Sequence, residues 1–292
     1  MPSPLRNNPE VLESYYCHGL DLESHGEEYS CECPFCGEPK FSVNARTGLF
    51  QCWACQAKGN PETFIEQLWD AFDKTTTDYS RIAGMRGLEV ETVMQWGLVW
   101  SPLRRMWMLP GYNVKGEVRN LYRYGLVNGK MRLLATKGMP HALYGVNLYD
   151  KSKPNVFLCE SWDALSLWEV LRQSRWTDDG PKPTAGNDNL LGDSNVLGLP
   201  GTSGFRQQWS QLFAGKIVFL CFDNDHPRVN KKTGAIVPSA GMEGAKRIAG
   251  ILGGGKQPPS EIRYLHWNPS GEEYYSNELP HGFDVTDALR IW

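Results

Sequence analysis

The chain has 292 residues, 41% of them hydrophobic and 22% charged, with a formal net charge of -3. That length holds about two domains at the usual ~100–200 residues each, and the composition is that of a globular protein rather than a fibrous or disordered one. No apolar run approaches the ~20 residues of a membrane span, the first residues lack a signal peptide's basic-then-apolar order, and the acidic balance excludes a global basic field. A cytoplasmic location without a membrane partner is expected, and any nucleic-acid contact has to come from local patches.

In such a compartment the eight cysteines read as metal ligands or core thiols rather than disulfides. Cys33-Pro-Phe-Cys36 and Cys52-Trp-Ala-Cys55 are two C-x-x-C knuckles separated by fifteen residues, the spacing of a four-cysteine zinc ribbon. Each knuckle offers two thiolates from one tight turn. Cys33, Cys36, Cys52 and Cys55 are therefore the expected Zn2+ ligands, and so small a unit takes its folding energy from the metal. The segment between them predicts two strands around Arg46-Thr47-Gly48. Cys31 is a spare thiol, and His18 and His25 are expected at the surface or facing DNA. Phe35, Lys40, Phe41, Arg46, Phe50 and Trp53 interleave rings with positive charge. Two readings stand: a base-stacking surface, or the ribbon's own small core.

Pro61 to Phe72 predicts an amphipathic helix with Phe64, Ile65, Leu68 and Phe72 on one side. The polar run from Asp73 reads as a linker over 73–80, closing a zinc-ribbon domain of 1–72. Residues 81–97 read as helical in pieces. MWMLPGYNVKGEVRNLYRY then predicts a hairpin turning at Asn113–Gly116. Arg119, Arg123, Arg132 and Lys137 recur there with Tyr122 and Tyr124 and almost no acid, as in a nucleotide- or nucleic-acid-binding face; a solvated hairpin is the alternative. This segment is taken as a basic subdomain over 81–150.

From 151 to 292 the order changes to strand, acid, helix. Val156–Cys159 is a short buried strand followed by Glu160 and a helix from Asp163. Asn195–Leu199 is a second strand leading into Pro200-Gly-Thr-Ser-Gly204. Lys216–Asp225, KIVFLCFDND, is a third strand, apolar from Ile217 to Phe222, that ends in two acids. If strand alternation continues, Asp223 and Asp225 lean the same way into the crevice at the carboxyl end of a parallel sheet. Paired carboxylates there suit a hard cation; an Asx-turn with solvated ends is the other reading. A helix over Gly241–Leu252, a strand at Glu261–Leu265 and the late acids Asp284 and Asp287 complete the run. Cys159 and Cys221 fall inside the strands and are expected in the core.

Glutamate after a first strand, D-x-D after a later one and D-x-x-D near the end resembles the Toprim fold. With the ribbon CPFCGEPKFSVNARTGLFQCWACQAKGN ahead of it, and GEVRNLYRY and ATKGMPHALYGVN between, the chain is similar to DnaG-like primases of bacteria and phages. The resemblance implies an α/β protein with an α+β amino-terminal part: a small zinc ribbon, then a primase RNA polymerase domain built on a Toprim-fold sheet. It implies short RNA primers made on single-stranded DNA from ribonucleoside triphosphates, with structural Zn2+ and catalytic Mg2+ or Mn2+. Glu160 matches the family's general acid/base, Asp223 and Asp225 its metal pair, and Asp284 its late acid. Arg119, Arg123, Arg132 and Lys137 match positions facing template or nucleotide. A replicative helicase is expected as a separate chain. The sequence departs from the family in having Ser161 where glycine usually follows the glutamate, in Asp163 standing one position early, and in an insertion between Asp225 and Gly241. Two rivals are a RecR-like zinc and Toprim recombination mediator, which binds DNA without catalysis, and a Toprim nuclease.

Overall fold

The computed structural model describes residues 9–173, 193–268 and 274–291. Its contacts divide the chain into Met1–Ile82 with Gly97–Ala142, and Ala83–Trp96 with Leu143–Trp292. Residues 174–192, between a helix and a strand of the second unit, lie outside the described residues.

In the first unit, α1 (Pro9–Tyr16) precedes a five-stranded antiparallel sheet in sequential order: β1 (Glu23–His25), β2 (Glu28–Cys31), β3 (Phe41–Asn44), β4 (Phe50–Cys52) and β5 (Lys58–Gly59). The sequence predicts two of these strands. The other three are two to four residues long and half or fully exposed, too short to show a period of two. The β3–β4 turn is closed by Asn44, whose Oδ1 accepts from the Arg46 and Thr47 amides at 3.1 and 3.0 Å. Tyr15, Phe41, Phe50 and Phe64 fill the core, with Tyr15 and Phe64 centroids 4.6 Å apart and Phe41 stacked on Phe50 at 5.3 Å. Burial of each ring stabilises by about 2–3 kcal/mol. Of the two readings of the ribbon's aromatics, Phe41 and Phe50 follow the core one, while Trp53 stays 64% exposed.

Helix α2 (Pro61–Ala71) starts where Asn60 Oδ1 accepts from the Thr63 amide at 2.9 Å with Pro61 in the first turn. It packs on a second antiparallel sheet of β6 (Val99–Ser101), β7 (Met106–Tyr112), β8 (Val118–Val127) and β9 (Lys130–Leu134). That cover explains why β8 is buried along most of its length instead of alternating. The ribbon and the basic hairpin thus share one unit, and α3 (Tyr79–Arg86) begins inside the expected linker.

The second unit contains α4 (Val90–Gln95), β10 (Asn155–Glu160), α5 (Asp163–Gln173), β11 (Ser194–Leu199), β12 (Ile217–Cys221), a small pair β13 (Arg228–Val229) and β14 (Ile236–Val237), α6 (Ala240–Gly253), β15 (Glu261–Tyr264) and α7 (Val285–Ile291). Strands β11, β10, β12 and β15 form, in that spatial order, an all-parallel sheet. Cys159 is opposite Gly198 on one side and Cys221 on the other, so the three neighbouring strands end at one edge. Parallel pairing requires crossovers, and α5 and α6 supply two of them. Cys159 and Cys221 are buried, as the apolar runs predict. No described helix is long and apolar enough to cross a membrane.

Candidate metal centres and nucleic-acid surface

The sulfurs of Cys33, Cys36, Cys52 and Cys55 all lie within 4.8 Å of one another. Cys33 Sγ is 3.8 Å from Cys55 Sγ, and Cys36 Sγ is 3.8 Å from Cys52 Sγ. A tetrahedron with Zn–S bonds of about 2.3 Å has edges of about 3.8 Å, so the cage has the dimensions of a four-thiolate zinc site. Burial raises the Cys33 thiol. At Cys52 burial acts the same way, yet the Cys55 and Ala54 amides outweigh it and bring the thiol down to about 7. Cys31, half-buried, bonds the Glu32 carbonyl and lies outside the cage.

The carboxylates gather at the carboxyl edge of the parallel sheet. Glu160 is the last residue of β10, and Asp163 opens α5 three residues later. The turn between them puts Ser161 at φ +36°, a left-handed conformation that glycine adopts more readily than serine. This is the position where primases of the resembled family carry glycine. Strand β12 stops at Cys221, so Asp223 and Asp225 do not alternate along a strand as the sequence suggests. They belong to a tight turn in which the Asp225 amide donates to the Asp223 carbonyl at 2.8 Å. Gly241, in the first turn of α6, closes on this turn: its amide donates to Asp225 Oδ2 at 3.1 Å, and a Cβ there would sit 2.6 Å from the Asp223 carbonyl oxygen.

Asp284 arrives from a distant segment. The backbone bridge Asn224–Phe283 brings it to the same edge, where its Oδ1 accepts from the Asp287 amide at 2.8 Å and caps α7. Asp163 accepts from the Thr286 hydroxyl at 2.6 Å, which ties α7 to α5.

The electrostatics record this crowding. Burial and then the charges of Glu160, Asp163, Asp284 and Asp225 push Asp223 up to about 8. Burial and Asp225 raise Glu160 to about 7, against a bond from the Thr202 backbone. Burial and Asp284 raise Asp163 to about 6. Asp284 is raised by burial too, although Arg86 and Arg290 oppose the shift. Asp223 Oδ1 is buried without a hydrogen-bond partner among the described residues. Like charges drawn together around a buried carboxylate oxygen with no donor are what a hard cation relieves, so the donor set fits Mg2+ or Mn2+. The oxygens are more loosely gathered than the four sulfurs: among the described residues, the cysteines are the group of three or more candidate ligand atoms within 4.8 Å of each other.

Residues 8–93 match the family model of the CHC2 zinc finger. Of the curated relatives, a DNA primase of Halalkalibacterium halodurans is 43% identical over 51 residues, 17% of this chain and 8% of that one. A DNA primase of Mycoplasma genitalium is 32% identical over 60 residues, 20% of this chain and 9% of the other. The matched stretches thus span less than a tenth of either relative. Among solved structures, the zinc-binding and RNA polymerase domains of the Aquifex aeolicus primase align at 16% identity over 97% of this chain and 80% of theirs, with a TM-score of 0.46. The primase fragment of the bacteriophage T7 primase-helicase protein aligns at 14% over 92% and 95%, with a TM-score of 0.44.

Within and beside the matched segment the predicted polar residues divide. His25, Lys40 and Arg46 are exposed. His18 is not at a surface: it is 1% exposed, with Nε2 2.9 Å from the Thr136 hydroxyl. Arg123 is likewise interior, its guanidinium donating to the Cys17 and Ala135 carbonyls at 3.2 and 3.0 Å. Alternation along β8 would turn Arg123 outward on a two-layer hairpin; the packed cover turns it in. Arg119 is held by Glu117, Glu62 and Glu66, and Lys137 is 3.4 Å from Glu13. Arg132 is exposed on β9. The same unit has a cavity of about 1220 Å³ lined by Asp21, Glu32, Asp73 and Asp78 as well as Trp100 and Trp107, an acidic lining distinct from the carboxylate edge.

Sequence reasoning misses Asn224, Thr286, Arg86 and Arg290. Asn224 is fully buried between two acids, where a composition-based reading sees a solvated turn. Its side chain holds the segment that delivers Asp284. Arg86 and Arg290 come from short helices without any motif and supply positive charge that acts on Asp284.

Proposed function

We propose that the chain is a DNA primase that makes short RNA primers on a single-stranded DNA template by metal-dependent nucleotidyl transfer. The observation that carries this reading is the convergence of Glu160, Asp163, Asp223, Asp225 and Asp284 at one edge of a parallel sheet around the unpartnered Asp223 Oδ1. The match to the CHC2 zinc finger model and the primase relatives support assigning primer synthesis to that edge.

Asp223 and Asp225 would hold Mg2+ or Mn2+, with Asp284 contributing at the rim. The ions supply charge neutralisation at the triphosphate and favour attack by a ribose hydroxyl. The chain's own groups do the positioning. Gly241 and Asn224 lock the Asp225 and Asp223 turn so that both carboxylates face one space. Glu160, raised to about 7, holds or releases a proton at neutral pH, as a general acid/base requires. Arg86 and Arg290 on the rim offer positive charge to triphosphate oxygens. In the other unit, Arg132 and the exposed Lys40, Arg46 and Trp53 of the zinc finger are among the groups open to a template strand. Arg119 and Lys137 reach it only by exchanging their carboxylate partners. Ribonucleoside triphosphates, single-stranded DNA and a separate helicase are the proposed partners.

A mediator that binds DNA without catalysis has no use for five crowded carboxylates, whose repulsion is a stability cost. Incubating the protein with single-stranded DNA, labelled ribonucleotides and Mg2+ tests the reading: template-dependent RNA oligomers support it. Shortened DNA, or retention of DNA without product, contradicts it. Asp223→Ala and Asp225→Ala must each abolish the oligomers.

A further inference from the structure

The insertion after the acidic turn folds into a hairpin of its own. Strands β13 and β14 pair Arg228 with Val237 and Val229 with Ile236. The tip is built rather than loose: Asn230 exchanges backbone bonds with Ala235 and Gly234, both 2.8 Å, and its Oδ1 accepts from the Lys232 and Thr233 amides at 2.9 and 3.3 Å. Both ends of the excursion are fastened at the carboxylate edge. The His226 amide donates to His281 Nδ1 at 2.9 Å at its start, and Ser239 caps α6 while Gly241 bonds Asp225 at its end.

Its chemistry is one-sided. Residues 226–240 carry Arg228, Lys231 and Lys232 and no carboxylate, in a chain whose net charge is -3. All three are exposed, and none has an acidic partner within 4.0 Å among the described residues. The apolar pair Val229 and Ile236 is 63% and 75% exposed, so the hairpin is not folded over a core of its own. A fixed basic ribbon with an uncovered apolar face, rooted three residues from a metal-binding acid, has the features of a nucleic-acid clamp. Polyanion charge fits its cations, and sugar edges fit Val229 and Ile236.

We propose that this hairpin grips the phosphodiester backbone of the strand passing through the carboxylate site, with Arg228, Lys231 and Lys232 each contacting a phosphate. Arg228 lies three residues from Asp225 and Lys232 seven, a reach of at most ~10 to ~25 Å along an extended chain. The contacts therefore fall within a few nucleotides of the reacting one and hold a strand whose pairing with a two- or three-nucleotide product is weak. The inference rests on the primase reading for the identity of the strand.

The test compares the full-length protein with an Arg228→Ser, Lys231→Ser, Lys232→Ser variant. Dissociation constants are measured by fluorescence anisotropy from 50 to 200 mM salt for a labelled single-stranded DNA and for a DNA·RNA hybrid labelled on either strand. Three lost contacts lower the slope of log affinity against log salt by about 2, so the wild type loses about 20-fold more affinity across that range than the variant does. A drop on DNA alone assigns the template strand; a drop only on the hybrid assigns the RNA product. Unchanged slopes on every probe, with an unchanged melting temperature, overturn the clamp whether or not the wild type makes oligomers. A lowered slope in a protein that makes no oligomers retains the clamp and overturns the primase reading instead.

Discussion

Asn224 and Ser276, 52 residues apart, are joined twice: the Ser276 amide donates to Asn224 Oδ1 at 2.7 Å, and Asn224 Nδ2 donates to the Ser276 carbonyl at 3.0 Å. The same Nδ2 also lies 3.0 Å from the Pro280 carbonyl, and the Asn224 backbone bridges Phe283. One side chain thus fixes the segment that carries Asp284 to the turn that carries Asp223 and Asp225. Asn224→Ala strands several buried carbonyls, at a cost of about 1–3 kcal/mol. The expected result is a lower melting temperature together with at least a tenfold loss of oligomer synthesis, read from denaturation curves and product gels.

Replacing Asp223 by Asn separates stability from function. In metal-free buffer above pH 8, where Asp223 is ionised, the wild type holds a buried carboxylate oxygen without a donor among four other acids, and Asp223→Asn removes one charge from that crowd. The variant is expected to melt higher than wild type in EDTA. Added Mg2+ raises the wild-type melting temperature and leaves the variant's nearly unchanged. The check is thermal melting with and without the ion.

His18 makes the first unit acid-sensitive. Burial first, and then Arg123 and Arg104, lower it to about 3 from 6.5. Below pH 6.5 the unfolded chain takes up a proton that the folded protein refuses, so stability is complete above that pH and is lost progressively toward pH 3. At pH 5 the loss is about 2 kcal/mol. His18→Gln is expected to flatten the difference in denaturant midpoint between pH 7 and pH 5 relative to wild type.

Four cysteines set the zinc content. Cys36→Ser or Cys55→Ser is expected to abolish stoichiometric zinc and to melt the five-stranded sheet, because the ribbon's folding energy includes the metal. Cys31→Ser, outside the cage, retains one zinc per chain. Metal analysis of the purified variants with circular dichroism checks both.

What was legible in the sequence follows from how local each signal is. The zinc knuckles and the parallel strands are written in contiguous spacing and apolar runs and are found where expected, whereas Asp223 and Asp225 sit in a turn beyond their strand rather than alternating along it. The inward turn of Arg123 and the burial of His18 depend on cover from segments far along the chain, which neither the local charge pattern nor the complete cysteine set reveals. Ser161 shows how a departure becomes readable: its positive φ is a backbone conformation that glycine adopts more readily than serine. Asn224 was hidden because a buried asparagine and a solvated one look alike until partners 52 to 59 residues away are in place.

Divalent-cation binding at the carboxylate edge is the central claim, and counting bound Mn2+ by electron paramagnetic resonance tests it most directly. Wild-type protein is expected to bind at least one Mn2+, displaceable by Mg2+, and the Asp223→Asn, Asp225→Asn double variant none at the same concentrations. Equal Mn2+ binding by both proteins would contradict the assignment of this edge as the catalytic centre.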